Sequence, residues 1–595
     1  MSERNCLFHL DPRLQKSIAR LQASPGTENF ETAEVTEKRI SVIAKVKDVQ
    51  TFLDLPGVFD GKRVTAAPDK KGDIVTAKVA VSALEQIQQS PVIVTMSGAQ
   101  PLKLMLHDTL REIAIPPLHS PEFNGGNGVI IGIIDHGCDF VHSNFRNSDG
   151  TTRLLSLMIQ KININDGQTE EVIYTTEQIN AALQNPDPYR ALGYDPGYGS
   201  HGTHVMDIAA GNGLAEMSPG VAPKADLIFV EPDYRDIKKN GELGYLGDSF
   251  NLLNAVNYIF DKAGHSSCVI NISLGTNGGP HDGTSLFEQG IDGLLMEKPN
   301  RAVVLAAGNA FDDNVHASGT VKEGSFTDLQ WVILEGDTTA NELELWYSGK
   351  EEFRVELLNG DNLSLFNIGL GEKADIPGFF ATHIKGSNGD HQAMIFGAPS
   401  SFGNWIVRIH GLKAADGNFH AWIERDDNNT AKQQLFNQSH FQSSVDNSYT
   451  LNSICCGKKS IAVGSYSAKV DSLAISYFSA AGPTRDGRHK PEISAPGHSV
   501  AAARSRVEAE AKVSSGTSMA APVITGVIAL MFAEAAKSGL KLSIDEIRKL
   551  LFSTIRTNPP SSPGWDIQYG NGRVDAIAAI KAVKALKINE PVSIQ

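Results

Sequence analysis

The stretch Gly516-Thr517-Ser518-Met519-Ala520-Ala521-Pro522 places one hydroxyl between a turn glycine and a run of small apolar residues. The run over residues 520–530 predicts a buried helix, so Ser518 lies where this helix begins. Free backbone N–H groups and the helix dipole favour developing negative charge at such a position. A serine there is either a nucleophile or an N-cap, and both interpretations stay open. Pro522 fits the helix in its first turn, where its missing N–H is not needed.

The composition is that of a globular protein with several domains. The chain has 595 residues, of which 41% are apolar and 20% charged, and a chain of this length divides into more than one core. The formal charge of −15 argues against nucleic acid or an anionic membrane surface as the main partner. No apolar run approaches about 18 residues, so we expect no membrane span.

The N-terminus and the cysteines favour a cytoplasmic protein. The first eleven residues lack the basic and apolar regions of a secretory signal, although export by another route stays open. The cysteines are odd in number and lack CxxC spacing, which argues against a disulfide framework or a structural zinc site. They are Cys6, Cys138, Cys268, Cys455 and Cys456.

Residues 39–96 alternate between strand and helix patterns. The predicted strands cover residues 40–46, 62–67, 73–79 and 92–96, and the predicted helices cover residues 49–55 and 81–89. This β-α-β-β-α-β order is the split βαβ arrangement of ferredoxin-like domains. Residues 11–24 predict a short amphipathic helix ahead of it.

From residue 127 the pattern becomes that of an α/β domain. Continuous apolar runs, typical of buried parallel strands, alternate with helical patterns. The runs cover residues 128–134, 225–230, 268–272, 302–306 and 460–464, and the helices cover residues 250–262 and 284–297. In such a sheet the active residues lie at the carboxyl ends of the strands.

Residues 320–430 instead predict a domain of strands alone. Eight short segments are separated by Gly, Asn and Asp turns, which favours a β-sandwich or jelly roll. They are residues 331–334, 342–347, 353–358, 363–368, 379–384, 392–396, 405–409 and 419–423. Residues 312–446 carry 20 acidic and nine basic side chains, so most of the chain's negative charge is local to this region. The acidity suits a well-solvated module, and a surface for a basic partner is the alternative.

Three more segments carry side chains suited to catalysis. Asp135 ends an apolar strand, His201 opens a helix predicted to reach residue 210, and Asn309 follows a buried strand. Gly202, directly after the histidine, permits close approach of another backbone. His204 lies three residues after His201. The alternatives to a catalytic role for this pair are metal ligation and simple solvent exposure. The HExxH spacing of zinc peptidases is absent, which disfavours a zinc site.

Together these segments resemble the subtilisin family of serine peptidases. The matching motifs are Ile133-Ile134-Asp135-His136-Gly137, His201-Gly202-Thr203-His204-Val205, Ala306-Ala307-Gly308-Asn309 and the serine stretch. They follow the family's order of Asp, His and Ser. The resemblance covers about 128–311 and 448–585. It implies a subtilisin-like parallel sheet with helices on both faces, and serine endopeptidase activity.

The resemblance implies a role for each matching residue. Asp135, His201 and Ser518 would form a catalytic triad, and Asn309 would contribute to an oxyanion hole. A polypeptide substrate would bind in extended conformation along a strand edge, and its selectivity would come from pockets. The residues implied in substrate binding are Ser273, Leu274, Gly275, Leu246, Gly247, Ala307 and Gly308.

Several residues depart from the family's pattern. His136 stands where Ser or Thr is usual, Cys138 follows two residues later, and Met206-Asp207 replaces a pair of small residues. His136 is either structurally satisfied or able to perturb activity near neutral pH. Cys138 is either a buried, inert thiol or a source of sensitivity to thiol reagents.

Two additions surround the family's core. The β-rich segment falls within the 209 residues from Asn309 to Ser518, and this layout resembles clostridial spore-germination subtilases. The insertion would rigidify the catalytic domain or restrict access to it. The N-terminal segment resembles the subtilase prodomain, a folding chaperone and inhibitor. We predict self-cleavage in the region of Leu102, Leu104 and Leu106, which implies a preference for Leu or Met before the scissile bond.

These observations predict five segments. They are a prodomain-like segment (1–107, ferredoxin-like over 39–96), a catalytic domain in two parts (108–311 and 448–585), an inserted β domain (312–447) and a tail (586–595). Catalysis of this kind needs no cofactor, and calcium would be structural. Its candidate ligands, Asp312-Asp313-Asn314 and Asp426-Asp427-Asn428, are equally typical of turns.

Two other functions compete with a peptidase, and the sequence leaves the oligomeric state open. A latent or regulatory pseudoprotease would bind peptides without turnover, and the occupied catalytic positions do not distinguish it from an active enzyme. Another serine hydrolase, such as an esterase, is disfavoured because the chain lacks a Gly-x-Ser-x-Gly elbow.

Overall fold

The structure is a computed structural model that describes most of the chain. The described residues are 39–66, 72–98, 106–115, 123–162, 169–232, 249–335, 337, 340–386, 388–425, 438–469, 472–557 and 564–586. The chain forms two compact units, which divide between Lys103 and Leu104. The helix predicted over residues 11–24 lies outside the described residues.

The first unit contains a four-stranded antiparallel sheet. Its elements are β1 (Arg39–Val46), α1 (Val49–Leu53), β2 (Val58–Ala66), β3 (Asp73–Ala80), α2 (Leu84–Gln88) and β4 (Ile93–Gly98). The strand order is β2-β3-β1-β4, and the predicted β-α-β-β-α-β sequence of elements is present. The second predicted helix is split, because a 3₁₀ turn (Val81–Ala83) precedes α2. Phe52 and Ile87 from the helices share one apolar core with the strands.

The second unit is built on an eight-stranded sheet. Its strands are β5 (Val129–Ile134), β6 (Leu154–Ile162), β7 (Thr169–Thr175), β8 (Asp226–Glu231), β9 (Ser267–Ile272), β10 (Arg301–Ala306), β22 (Ile461–Tyr466) and β23 (Ile493–Pro496). The order is β23-β22-β10-β9-β5-β8-β6-β7. The pairs are parallel except for β6 with β7. All five predicted apolar runs are strands of this sheet.

Helices cover this sheet, and one of them lies at its centre. They are α3 (Leu106–Glu112), α4 (Thr176–Leu183), α5 (Pro188–Leu192), α6 (His201–Ala210), α7 (Ser249–Ala263), α8 (Leu286–Glu297), α9 (Thr517–Lys537), α10 (Ile544–Ser553) and α11 (Ala576–Leu586). Helix α9 packs against α6, β9, β10 and β22. Its small residues permit the approach to α6, since a Cβ on Gly526 would lie 3.0 Å from the carbonyl oxygen of Ala209 in that helix.

Helix α9 is more extensive than the predicted run over residues 520–530. Among the described helices it is the one that is long and apolar enough to cross a membrane, although 94% of its most apolar window is buried inside the protein. The expectation that no segment of this length and apolarity exists is therefore wrong. The helix is apolar on every side because the sheet and neighbouring helices surround it.

The inserted region is an antiparallel β-sandwich. Its strands are β11 (His316–Thr320), β12 (Phe326–Ile333), β13 (Asn341–Tyr347), β14 (Glu352–Leu358), β15 (Ser364–Ile368), β16 (Lys373–Ile376), β17 (Phe379–Lys385), β18 (His391–Gly397), β19 (Gly403–Lys413), β20 (Asn418–Ile423) and β21 (His440–Phe441). They form sheets ordered β11-β20-β13-β18-β17-β16 and β15-β14-β19-β12-β21. Both sheets contribute to one apolar core. The eight predicted strands are present. A hairpin of β24 (Val500–Arg504) and β25 (Val507–Ser514) follows the sandwich in the chain.

Candidate active site

The carboxylate of Asp135 meets the ring of His201 at the carboxyl end of the sheet. Asp135 follows β5 and its side chain is fully buried, while His201 is the first residue of α6. The His201 Nδ1 and Asp135 Oδ1 atoms lie 2.7 Å apart. Loss of solvation around the ring lowers the pKa of His201, but the charge of Asp135 and this hydrogen bond outweigh it. The net result is a raised pKa, so Asp135 favours the protonated imidazole.

Hydrogen bonds join the loop after β5, which carries Asp135, to the first turn of α6, which carries His201. The Gly202 N–H donates to the His136 carbonyl at 2.7 Å, and the Thr203 hydroxyl donates to the Gly137 carbonyl at 2.8 Å. A Cβ on Gly202 would lie 2.8 Å from the His136 oxygen, so only glycine fits here. This confirms the close approach predicted for the residue after His201.

The side chain of Asn309 faces the start of α9. Its Oδ1 atom accepts from the Thr517 N–H at 2.9 Å and lies 3.0 Å from the Thr517 hydroxyl. That hydroxyl also lies 3.1 Å from the N and O atoms of Gly308. With Oδ1 occupied, the two N–H bonds of the Asn309 amide are left for another acceptor. Thr517 therefore fixes which end of the amide faces the cleft, a role that no sequence motif indicates.

Ser518 is the second residue of α9, and Gly516 occupies the N-cap position. The structure therefore contradicts the N-cap interpretation of Ser518. Its hydroxyl donates to the Ser273 carbonyl at 3.3 Å, and the Ser273 hydroxyl donates back to the Ser518 carbonyl at 3.1 Å. Within the described residues, the hydroxyl of Ser518 is thus hydrogen-bonded to the backbone carbonyl of Ser273 rather than to His201.

The expectation that Pro522 lies in the first turn of the helix is wrong. It is the sixth residue of α9 and lies inside the helix, beyond the first turn. Because proline has no N–H, the Ser518 carbonyl four residues earlier lacks its usual helical donor. The Ser273 hydroxyl occupies that vacated position. Pro522 therefore makes the contact between the helix start and the segment after β9 possible.

Two segments predicted to bind substrate lie side by side, joined by a residue that sequence reasoning missed. Asn452 donates through Nδ2 to the Leu274 carbonyl at 3.0 Å, and its backbone N–H donates to the Ala307 carbonyl at 2.7 Å. A Cβ on Gly275 would overlap the Asn452 amide, at 1.4 Å. Asn452 thus links the segment after β9 to the segment after β10. Leu246 and Gly247 lie outside the described residues.

The departures from the family's pattern are mostly interior residues. Cys138 is fully buried, and burial raises the pKa of its thiol well above the ordinary value, which confirms the inert interpretation. Asp207 is also buried and accepts from the Ala503 N–H at 2.8 Å. His204 is bonded to the Lys512 carbonyl at 2.9 Å, and burial lowers the pKa of His204 to about 3. His204 is therefore a buried, neutral side chain rather than an exposed one.

Among the described residues, no group of three or more His, Cys, Asp or Glu side chains is arranged to hold a metal ion. The candidate Asp312-Asp313-Asn314 forms a turn, with Asn314 at φ 55°. The second candidate, residues 426–428, lies outside the described residues. The four cysteines that the structure describes are free and buried.

The sequence model of the subtilase family matches residues 126–342 and 364–572. The chain belongs to the subtilase family. This subtilase is 31% identical to pyrolysin of Pyrococcus furiosus over 118 residues, which are 19% of the chain and 8% of pyrolysin. It is 32% identical to serine protease AprX of Bacillus subtilis over 145 residues, which are 22% of the chain and 31% of AprX. It therefore spans less than a third of either relative.

A solved structure supports the same fold over most of the subtilase. The CspB protease of Clostridium perfringens superposes with a TM-score of 0.67 and 24% identity, covering 82% of this chain and 99% of that chain. This finding confirms the subtilisin-like α/β fold and the predicted likeness in layout to a clostridial subtilase.

Proposed function

We propose that this subtilase is a serine endopeptidase that uses Ser518 as nucleophile and His201 as general base. The observation that carries the proposal is the 2.7 Å contact between His201 Nδ1 and the buried Asp135 carboxylate. A serine hydroxyl attacks a peptide carbonyl only when a neighbouring base removes its proton. Asp135 makes His201 that base by holding the Nδ1–H tautomer, which leaves Nε2 to accept the proton.

The reaction proceeds in two steps. The Ser518 Oγ atom attacks the carbonyl carbon as its proton passes to His201, and the imidazolium then protonates the leaving amine. Water deprotonated by His201 next hydrolyses the acyl-enzyme. The hydroxyl first turns away from the Ser273 carbonyl, whose 3.3 Å distance is long for an O–H···O bond. The rearrangement therefore breaks only a weak hydrogen bond.

Two donors stabilise the negative oxygen of the tetrahedral intermediate. One is the Asn309 amide, whose Oδ1 atom is occupied by Thr517 and whose N–H bonds are free to donate. The other is the Ser518 backbone N–H, which belongs to the first turn of α9 and has no acceptor within the helix. The positive end of the helix dipole adds to both.

The substrate is a polypeptide in extended conformation. Residues 273–275 follow the end of β9, where they offer backbone groups to a strand-like peptide. Ala307 and Gly308 lie across the cleft from them, joined through Asn452. Main-chain pairing supplies affinity, whereas the space between these segments selects the side chain before the scissile bond.

The N-terminal unit acts as a prodomain that the enzyme removes itself. Its β-α-β-β-α-β elements support this proposal. Of the proposed cleavage positions, Leu102 and Leu104 lie outside the described residues, and Leu106 is the first residue of α3. We expect the recovered wild-type chain to be shorter than Ser518→Ala by intact mass. Equal masses would contradict self-processing without contradicting peptidase activity.

The chemistry uses side chains and backbone groups alone, so we expect no cofactor requirement. A chelator such as EDTA is expected to leave the initial rate of peptide hydrolysis unchanged. A lower Tm after removal of calcium would reveal a structural ion.

The free, buried thiols support a cytoplasmic location.

Hydrolysis of a peptide library tests the proposed function. Purified wild type is expected to cleave internal peptide bonds, with one dominant preference before the scissile bond, and Ser518→Ala is expected to cleave none. A folded wild type that binds peptides without cutting them would contradict the proposal and establish the latent regulator instead.

A further inference from the structure

A carboxylate of the inserted β-sandwich binds the loop that follows the proposed substrate edge. Glu424 lies directly after β20. Its carboxylate accepts from the backbone N–H groups of Asn277 at 2.9 Å and Gly278 at 2.8 Å, and from the Thr276 hydroxyl. Residues 276–278 directly follow Ser273-Leu274-Gly275 in the chain. One side chain from the insertion thus satisfies three donors beside the peptide-binding segment.

The end of β20 reinforces this attachment. The Ile423 carbonyl accepts from Asn277 Nδ2 at 3.3 Å. Trp422 stacks on His281 with ring centroids 4.1 Å apart, and His281 Nε2 lies 2.6 Å from the Asn277 carbonyl. Three consecutive residues of the insertion therefore contact one short loop of the catalytic domain.

The loop has little freedom to move against the sandwich. A Cβ on Gly278 would lie 2.8 Å from Glu344 Oε1 and 3.0 Å from Glu424 Oε2. Glu344 is bonded inside the sandwich, to Trp346 Nε1 at 2.7 Å and Gln392 Nε2 at 2.8 Å. Glu424 differs from Glu344 because it bonds to the catalytic domain. Of these two glutamates, Glu424 is thus the one that attaches the loop to the sandwich.

We propose that Glu424 is a positioning residue for the substrate edge, acting through the loop of residues 276–278. By fixing this loop it keeps Ser273-Leu274-Gly275 extended before a peptide arrives. Ordering a free backbone residue on binding weakens association about tenfold, and a pre-ordered edge avoids this penalty. The inference rests on the proposed peptidase function and gives the acidic insertion a specific part in it.

The chemistry at Ser518 and the pairing with an extended peptide make different demands on this edge. A small fluorophosphonate reacts with the nucleophile and needs no backbone pairing along residues 273–275. An internally quenched peptide of about eight residues needs that pairing. Losing Glu424 is therefore expected to affect the peptide reaction and spare the labelling reaction, whereas general damage would affect both.

The test compares Glu424→Ala with a matched variant, Glu351→Ala. Glu351 is a carboxylate of the insertion that, like Glu424, accepts from backbone N–H groups of a loop, those of Ala415 at 2.6 Å and Asp416 at 3.1 Å. Its partners belong to the sandwich, so it controls for loss of a loop-capping carboxylate. Each variant is measured for kcat and KM on the peptide and for the rate of fluorophosphonate labelling.

We expect Glu424→Ala to lower kcat/KM for the peptide about tenfold, mainly through KM, with labelling within twofold of wild type. Glu351→Ala is expected to leave both within twofold. The proposal is overturned if Glu424→Ala leaves kcat/KM unchanged, or if it slows labelling and peptide cleavage equally. If Glu424→Ala does not fold, Glu424→Gln replaces it, because it keeps one acceptor oxygen and should give a smaller loss through KM. A wild type that neither cleaves nor labels would instead overturn the proposed function itself.

Discussion

Replacing Thr517 by Val tests the orientation of the Asn309 amide. The Thr517 hydroxyl lies 3.0 Å from Asn309 Oδ1 and 3.1 Å from the Gly308 N atom. Valine keeps the shape of the side chain but deletes both hydrogen bonds. The Thr517 N–H still holds Oδ1 at 2.9 Å, so the amide loses one of two restraints. One neutral hydrogen bond contributes about 1 kcal/mol, which corresponds to roughly a fivefold fall in kcat.

The effect should appear in kcat, because the Asn309 amide acts on charge that develops in the transition state. KM for a short peptide should change less than twofold. Asn309→Ala, which removes the donor itself, should lower kcat by about 10²–10³. Stability should fall by about 1 kcal/mol in Thr517→Val, since the half-buried Gly308 N–H loses its acceptor.

Thr517→Ser is the matched control. It retains the hydroxyl and loses one methyl group, so its kcat should stay within twofold of wild type while its unfolding free energy falls by about 1 kcal/mol. Steady-state kinetics and denaturant unfolding on the three variants separate the two effects. A Thr517→Val enzyme with wild-type kcat would refute the orienting role of the hydroxyl.

Three other predictions concern charge. His201 must be neutral to act as a base, and Asp135 raises its pKa, so kcat/KM should rise with pH through a midpoint above 6.5. A midpoint below 6.5 would contradict the effect of Asp135 on this pKa. Asp135→Asn should lower kcat by about 10⁴. Lys490→Met should lower the unfolding free energy by about 1.5–3 kcal/mol, because the buried Glu492 carboxylate loses a charged partner 3.0 Å away but stays paired with Arg548 at 2.8 Å; an unchanged urea midpoint would contradict it. Burial is the main cause that raises the pKa of Glu342 to about 8. Its carboxylate therefore ionises more readily in the unfolded chain, and the free energy of unfolding falls as pH rises from about 4.5 towards 8. Glu342→Gln should therefore raise Tm more at pH 9 than at pH 5, and an equal shift at both would count against the burial effect.

Sequence reasoning could predict the parts of the fold that depend on local pattern. The strand before Asp135 is an unbroken apolar run, and a buried parallel strand requires such a run. The helix from His201 to Ala210 was predicted with the bounds that the structure shows. The residues of the proposed triad were identifiable because their motifs occur together and in order.

Short polar strands were harder to predict. The sandwich strand β16, Lys373–Ile376, has exposed and half-buried positions only, so it lacks the apolar alternation that marks a strand. The strand β11, His316–Thr320, contains Gly319 and Ser318, which weaken any strand pattern. Both pair with longer neighbours, and tertiary contacts decide their conformation.

Contacts between distant segments were beyond the sequence. Asn452 reaches Leu274 across 178 residues, and Glu424 reaches Asn277 across 147. Neither residue belongs to a motif, and single Asn and Glu side chains are common in loops. The internal position of Pro522 was missed for a related reason, because the vacated carbonyl of Ser518 is filled from another segment.

Activation of Ser518 by His201 is tested most directly by peptide mapping with mass spectrometry after reaction with a fluorophosphonate. We expect one adduct per chain, on Ser518, and strongly slowed labelling in His201→Ala. A folded chain without an adduct, or an adduct on another serine, would contradict it.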